Sequence, residues 1–82
     1  MTTVRYWASA RAAAGTAADD VEAATLAEAL DDVRARHGER LAAVLSVCAF
    51  VVDGEPVGVR DHTAVPLAGA ELVDVLPPFA GG

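Results

Sequence analysis

Lysine is absent from this 82-residue sequence, and its six basic side chains other than histidine are all arginines. The chain therefore offers no side-chain amine that could capture an activated carboxyl group of its own. Twelve Asp and Glu residues against these six arginines give a net charge of -6. Phosphate binding needs a basic stripe, and the arginines are scattered, so we expect no nucleic acid ligand. A basic protein partner fits this charge better.

Cysteine and long apolar runs are also scarce. The single Cys48 cannot form an internal disulfide, and its position between Val47 and Ala49 predicts a buried structural thiol. Much of the 54% hydrophobic content is alanine spread among charges, and no run approaches the roughly 18 apolar residues that a membrane-spanning helix needs. Since the N-terminus shows no secretory signal, we expect a soluble cytoplasmic protein with no membrane contact.

Patterns typical of catalysis or metal binding are missing as well. The sequence has no Cys, His and carboxylate cluster at metal-ligand spacing, no phosphate-binding glycine loop, and no Ser that periodicity would bring to a His. His62 lies in a polar stretch and predicts a solvated loop histidine. The adjacent pairs Asp19-Asp20 and Asp31-Asp32 do not face each other on a helix or strand, so they predict solvated charge. A chain this short forms one small domain, and we expect it to bind no metal and no cofactor.

The first third of the sequence predicts a pair of strands. Residues 3–10 alternate as a strand does, with Arg5 and Trp7 on the outward face. Residues 11–15 are small and end in glycine, which predicts a turn, and residues 19–24 predict a weaker returning strand.

A capped helix is predicted next. Thr25 and Glu28 form a capping box that satisfies free N–H groups at a helix start. Gly38 suits the position after the helix, and residues 39–45 predict a further short helical turn. One stripe of side chains recurs at intervals of four, three and four, namely Leu26, Leu30, Val33 and His37.

The remaining strands follow the helices. Residues 47–52 are almost continuously apolar, which is typical of a central strand. Asp53-Gly54 predicts a tight hairpin turn, and residues 55–59 predict its returning strand, which Pro56 restricts to a sheet edge.

A loop over residues 60–69 leads to the last predicted strand, residues 71–76. Its alternation directs two valines inward and three residues outward, the outward set being Leu72, Asp74 and Leu76. The element order β, β, α, β, β, β predicts an α+β fold, in which one main helix packs across a sheet of about four to five strands.

The C-terminal segment is the most informative part of the sequence. Pro77 and Pro78 favour an extended backbone, and Gly81 and Gly82 lack a Cβ, so they fit a narrow channel. Residues 79–82 would reach about 13 Å when extended. Two interpretations stay open at this point: a tail that delivers the Gly82 carboxylate into another protein's active site, or a frayed terminus.

The two ends of the chain carry a resemblance to a known family. Residues 4–11, VRYWASAR, followed by Gly15, and residues 76–82, LPPFAGG, resemble the MoaD family, the small sulfur-carrier subunit of molybdopterin synthase. The similarity covers nearly the whole chain. It implies a ubiquitin-like β-grasp domain over residues 1–78 and a flexible diglycine tail over residues 79–82.

The resemblance also implies a function as a co-substrate. An E1-like adenylyltransferase would use ATP to activate Gly82, and a sulfurtransferase step would convert it to a thiocarboxylate. The large subunit of molybdopterin synthase, in a heterotetramer with this chain, would use that sulfur on cyclic pyranopterin monophosphate. Gly81 and Gly82 are then the expected catalytic residues, and ATP belongs to the activating enzyme.

A docking surface is expected beside the tail. Trp7 and Leu76 lie on the outer faces of their strands and form one apolar patch if those strands are neighbours; the alternative is that a loop of the chain covers Trp7. Arg11 would either bind a partner carboxylate or hold the local turn. The expected partner contacts are Trp7, Arg11, Leu76, Pro77, Pro78 and Phe79.

Two other functional classes stay open. The second hypothesis is a β-grasp carrier that serves thiamine or cysteine synthesis, or a ubiquitin-like protein modifier. The third is an interaction module with an inert tail. Thiamine carriers usually lack the Arg-Tyr-Trp-x-x-x-Arg stretch found here at residues 5–11, and this favours the first hypothesis.

Overall fold

The computed structural model describes residues 1–70 and 72–78. Along this part of the chain the elements follow in the order β, α, β, α, α, β, β, β, with one short 3-10 turn, His62–Ala64, before the last strand. The strands are β1 (Thr2–Tyr6), β2 (Ala18–Val21), β3 (Ala49–Val52), β4 (Glu55–Pro56) and β5 (Leu72–Leu76). The helices are α1 (Ala8–Ala14), α2 (Leu26–His37) and α3 (Glu39–Leu45).

The described strands form one five-stranded sheet in the order β2-β1-β5-β3-β4. Strands β1 and β5 are parallel, and the other neighbouring pairs are antiparallel. This mixed sheet with helices on one side confirms the predicted α+β β-grasp fold. The predicted pairing of the first two strands is also correct, with Thr2 opposite Val21.

The expectation for residues 8–14 is wrong, because they form helix α1 instead of a strand end and a turn. Alanine has the highest helix propensity, and its small side chain gives little information on periodicity. Strand β1 ends where the Trp7 N–H bonds to the Val75 carbonyl at 3.2 Å. Gly15, at φ 73°, then ends the helix by donating to the Arg11 carbonyl, a left-handed conformation that glycine adopts without a steric cost.

The predicted central strand over residues 47–52 starts two residues too early, although β3 does lie between two other strands. Strand β3 begins at Ala49 and lies between β5 and β4, so the centre of the sheet is β5. Val47 and Cys48 donate their backbone N–H groups to carbonyls at the end of α3, those of Val44 and Leu45. Because these donors are used in the turn, the two residues cannot join the strand ladder.

Helix α2 follows the prediction closely. The Glu28 N–H donates to the Thr25 hydroxyl at 3.3 Å, and Gly38 follows the helix at φ 80°. Helix α3 occupies the residues predicted for a short helical turn. The α2 side chains that enter the core are Leu26, Ala29, Leu30 and Val33.

The core lies between the helices and the inner face of the sheet. Alternate residues of the inner strands are buried there, among them Val4, Tyr6, Phe50, Val73 and Val75. Pro56 lies on the edge strand β4, as predicted. The opposite face of the sheet carries the outward residues of β1 and β5, and it leads to the start of the C-terminal segment.

Candidate interaction surface at the root of the tail

Trp7 and Leu76 lie side by side at one end of the sheet. Since β1 and β5 are parallel, with Tyr6 opposite Val75, their carboxyl ends meet at the same edge. Trp7 keeps an extended backbone, with φ -121° and ψ 150°, and so continues the outward alternation of β1. The residue is 44% exposed, which excludes the alternative that a loop of the chain covers it. Leu76 is half-buried on the same face.

A single carboxylate oxygen organises this surface. The Oδ1 atom of Asp74 accepts hydrogen bonds from Arg5 Nε at 2.7 Å and from Trp7 Nε1 at 2.8 Å. The Arg5 guanidinium lies 4.9 Å from the centroid of the Trp7 ring, a cation–π geometry. Although partial burial opposes ionisation, the bonds from Arg5 and Trp7 and the Arg5 charge hold the pKa of Asp74 below its usual value.

Strand alternation alone does not predict this arrangement. It placed Arg5, Trp7 and Asp74 on outward faces, and that facing is correct. The register that sets Arg5 opposite Asp74 comes from two strands nearly seventy residues apart in the chain. The available signal was that Arg5 and Asp74 carry opposite charges and both face outward. The outward facing alone determines neither which strands pair nor how their residues are aligned.

The tail begins directly after this surface. Pro77 is half-buried and Pro78 is exposed, and both follow the end of β5. The predicted residues Phe79, Gly81 and Gly82 lie outside the described residues, and so does Glu71 at the start of the last predicted strand. The structure therefore fixes the point from which the tail starts, beside Trp7.

Arg11 is exposed on helix α1, one turn after Trp7. Its carbonyl accepts the Gly15 N–H at 3.0 Å, so the backbone of Arg11, and not its guanidinium, holds the turn. Within residues 1–70 and 72–78 no carboxylate forms an ion pair with it. The side chain borders a shallow depression between α1 and β2, lined also by Ala8, Ala12, Gly15, Thr16 and Ala17.

A second polar cluster joins the sheet to helix α2. The Oδ2 atom of Asp19 accepts from the Tyr6 hydroxyl at 2.8 Å and lies 2.5 Å from His37 Nε2, while Arg36 lies 3.7 Å from Oδ1. Asp19 was predicted to be solvated, but its side chain is only 17% exposed. The prediction failed because the partners of Asp19 come from other elements.

This second cluster is structural. Burial raises the pKa of the Tyr6 hydroxyl, and its bond to Asp19 raises that pKa further. Burial also opposes ionisation of Asp19, but its bonds to His37 and Tyr6 outweigh this and lower its pKa. Each polar group of the cluster thus has its partner inside the domain, and the cluster stabilises the contact between β1, β2 and α2.

The other singled-out side chains also have structural roles. Cys48 is half-buried, and not buried as predicted. Its thiol donates to the Val44 carbonyl at 3.1 Å, and burial raises its pKa, which is consistent with a structural role. His62 was predicted to be solvated, but it is half-buried with its ring edge-on to Phe50 at 5.1 Å. Among the described residues, no group of three potential ligands could hold a metal ion, and no helix has the length and apolarity to cross a membrane.

Comparison with known proteins assigns the family. The family model described as "ThiS family" matches residues 4–82. The chain belongs to the ThiS family. ThiS proteins are ubiquitin-like β-grasp sulfur carriers, and this confirms the predicted superfamily, though not the MoaD branch.

Among solved structures, this ThiS-family chain is similar to SAMP1 from Haloferax volcanii. The TM-score is 0.78 at 22% sequence identity, and the match covers 99% of this chain and 98% of SAMP1. At this identity the likeness supports the fold alone. A search of curated proteins found no match.

Proposed function

We propose that this ThiS-family protein is the sulfur carrier of molybdopterin synthesis, and that its Gly82 carboxylate is the group that carries the sulfur. The observation that carries the proposal is the position of the diglycine segment. It comes after Pro77 and Pro78 in the sequence, and these prolines directly follow the central strand β5, whose end lies beside the exposed Trp7. A reactive group on such a segment reaches a partner's active site while the domain docks at its root.

The proposed chemistry takes place on the C-terminal carboxylate. A carboxylate oxygen of Gly82 attacks the α-phosphate of ATP in an E1-like adenylyltransferase, and pyrophosphate leaves. The terminal sulfur of a partner persulfide displaces AMP, and a second partner thiol then cleaves the S–S bond. The products are the Gly82 thiocarboxylate and a disulfide on the partner. In the large subunit of molybdopterin synthase this sulfur is transferred to cyclic pyranopterin monophosphate.

In this proposal the side chains of the protein contact the partner and do not react with the activated carboxyl group. Trp7 and Leu76 supply an apolar contact next to the tail, and Arg11 supplies a positive charge nearby that forms no ion pair within residues 1–70 and 72–78. The sequence contains no lysine, so no ε-amine of the carrier competes with sulfur for the acyl-adenylate. The acids and bases of the reaction belong to the partner enzymes in this proposal.

Reconstitution tests this function in two stages. The chain is incubated with ATP, an E1-like adenylyltransferase and a sulfur source, and intact-mass analysis should detect replacement of one C-terminal oxygen by sulfur. The product is then supplied to the large synthase subunit with cyclic pyranopterin monophosphate, and dithiolene formation is measured. A chain that lacks Gly82 is the matched control and should fail at the first stage. Thiocarboxylate that forms but yields no dithiolene would contradict the molybdopterin assignment.

The second candidate is a carrier for thiamine or cysteine synthesis, or a protein modifier. The observation that favours it is the family match itself, which is to ThiS. Supplying the same thiocarboxylate in parallel to the sulfur-accepting enzymes of thiamine and cysteine synthesis separates these carriers from the first candidate. Conjugates on lysines of other proteins would indicate the modifier.

A further inference from the structure

Asp74 lies at an unusual place for a half-buried carboxylate. It is on the outer face of the central strand, where an isolated acid would face water, yet its side chain is only 14% exposed. Two donors cover it and bond to the same carboxylate oxygen. They are Arg5 Nε on the neighbouring strand and Trp7 Nε1 just after the end of that strand. Neither donor is buried, since the side chain of Arg5 and the whole of Trp7 are each 44% exposed.

The main effect of this carboxylate is on the orientation of Trp7. An ion pair as exposed as Arg5–Asp74 adds little to folding stability. The indole, however, is fixed from two sides, by its N–H bond to Asp74 and by the Arg5 guanidinium over its ring. An exposed side chain that is already fixed loses less rotamer freedom when it enters a partner's pocket.

The charge around Trp7 differs from that of the whole chain. The net charge is -6, but the acid on this surface, Asp74, is already paired. Arg5 uses its Nε for Asp74, and its terminal nitrogens have no hydrogen-bond partner in the described part of the chain. Arg11, one helical turn from Trp7, has no ion pair there either. The terminal nitrogens of Arg5 and the side chain of Arg11 are therefore donors beside the indole ring that a partner could use.

We propose that Asp74 is a positioning residue, which sets the Trp7 indole and the Arg5 guanidinium in their docking arrangement at the root of the tail. The surface so formed fits a partner with an apolar depression bordered by a carboxylate, which would pair with the free guanidinium nitrogens. This inference rests on the proposed function, because the partner is the E1-like adenylyltransferase that receives the tail. It concerns docking and involves no chemistry on Gly82.

The test compares substitutions of Asp74 in the full chain. Asp74→Leu has a similar shape but accepts no hydrogen bond, whereas Asp74→Asn keeps an acceptor oxygen without the charge. Asp20→Asn is the matched control, because Asp20 is an exposed β2 carboxylate whose bond is to the Thr3 hydroxyl. The partner probe is the E1-like adenylyltransferase of the same organism, with calorimetric binding and the KM and kcat of carrier adenylation as readouts. Trp7 is the only tryptophan, so the intrinsic fluorescence of the free carrier reports on its environment.

We expect Asp74→Leu to weaken binding and raise KM by roughly tenfold, with kcat unchanged. Trp7 fluorescence should shift to the red and its anisotropy should fall, because the indole becomes more mobile. Asp74→Asn should lie between Asp74→Leu and the wild type, and Asp20→Asn should match the wild type. Urea unfolding of each variant shows that the domain still folds.

Unchanged affinity in a folded Asp74→Leu variant would overturn the inference. So would weaker affinity with unchanged fluorescence and anisotropy, because Asp74 would then act without moving Trp7. If the wild-type chain binds but is never adenylated, the proposed carrier function is wrong, while the affinities of the variants can still be compared. If the wild type is adenylated and all variants have the same KM, the proposed role of Asp74 is wrong, while the carrier function is unaffected.

Discussion

At the scale of single residues, strand alternation predicts which way a side chain faces but not what it binds. Trp7 and Leu76 were correctly placed on the outer face from the sequence alone. The hydrogen bonds of Asp74 and Asp19 were not predicted, because their partners lie in other elements. Such contacts depend on register and on helix placement, which a local pattern does not contain.

Replacing Trp7 with alanine should weaken binding to the large synthase subunit while leaving folding almost unchanged. Removing a central aromatic anchor from an interface typically costs about 2 kcal/mol of binding, roughly 30-fold in affinity. Calorimetric titration and thermal unfolding measure the two effects. Val59→Ala is the control, because Val59 is fully exposed in the loop after β4. A large fall in melting temperature with unchanged affinity would mean that Trp7 belongs to the core.

Asp19 should make folding stability dependent on acid pH. Its pKa is lowered in the folded state, so its contribution is fully present above the ordinary carboxyl pKa of about 4. The contribution is lost as the pH falls from there through the lowered folded-state value. Urea unfolding at neutral pH and near pH 3 should show this loss in the wild type and a smaller loss in Asp19→Asn. At neutral pH that variant should be less stable by about 1–3 kcal/mol.

Equal pH dependence in the wild type and Asp19→Asn would contradict this role of Asp19. Asp20→Asn is the control here as well. Its carboxylate is exposed and its bond is to the Thr3 hydroxyl, so it lies outside the cluster with Tyr6 and His37.

At the scale of elements, prediction succeeded where side chains differ in size and polarity and failed where they are small. The capping box and apolar stripe of α2 located that helix to the residue. The alanine-rich residues 8–14 contain no such contrast, and helix α1 was missed. Helix propensity favours α1, and its place in the fold, with Ala10 fully buried against the core, stabilises it.

Helix α1 should be sensitive to glycine. Ala12→Gly, at an exposed position inside the helix, should lower the free energy of unfolding by about 1 kcal/mol, because glycine loses more backbone entropy on helix formation. Ala68→Gly, in the exposed turn before β5, is the control and should have little effect. Equal stability of both variants in urea unfolding would favour the turn first predicted for residues 11–15.

At the scale of the whole molecule, the charges of the surface and of the chain point to different partner features. The acidity of the chain predicts long-range attraction to a partner with a basic rim, screened over about 10 Å at 0.1 M salt. The arginines beside Trp7 instead call for a partner carboxylate at the point of contact. The first affects the association rate, and the second affects how long the complex lasts.

The association rate with the large synthase subunit should therefore fall as salt rises, which stopped-flow mixing across a salt series measures. As a separate expectation of the proposed function, the assembled complex should contain two copies of each chain, which light scattering of the product measures. A rate insensitive to salt would show that the acidity of the carrier does not steer docking.

Removal of Gly82 should abolish sulfur transfer without changing stability. The buried residues of the described core lie between Val4 and Val75, and the deletion leaves them intact. Intact-mass analysis after incubation with ATP and the activating enzyme, together with a melting curve, separates loss of reactivity from loss of fold. Continued thiocarboxylate formation by the shortened chain would refute the proposed role of Gly82.

The parallel pairing of β1 and β5 also has a consequence for biosynthesis. Of the described strands, the one at the centre of the sheet comes last in the sequence, and its parallel partner comes first. A growing chain cannot complete this sheet while β5 is still inside the ribosome, and pairing over such a sequence separation slows folding. An incomplete chain therefore lacks both the central strand and the tail. If Gly82 carries the sulfur, as we propose, an incomplete chain can neither complete the described sheet nor carry sulfur.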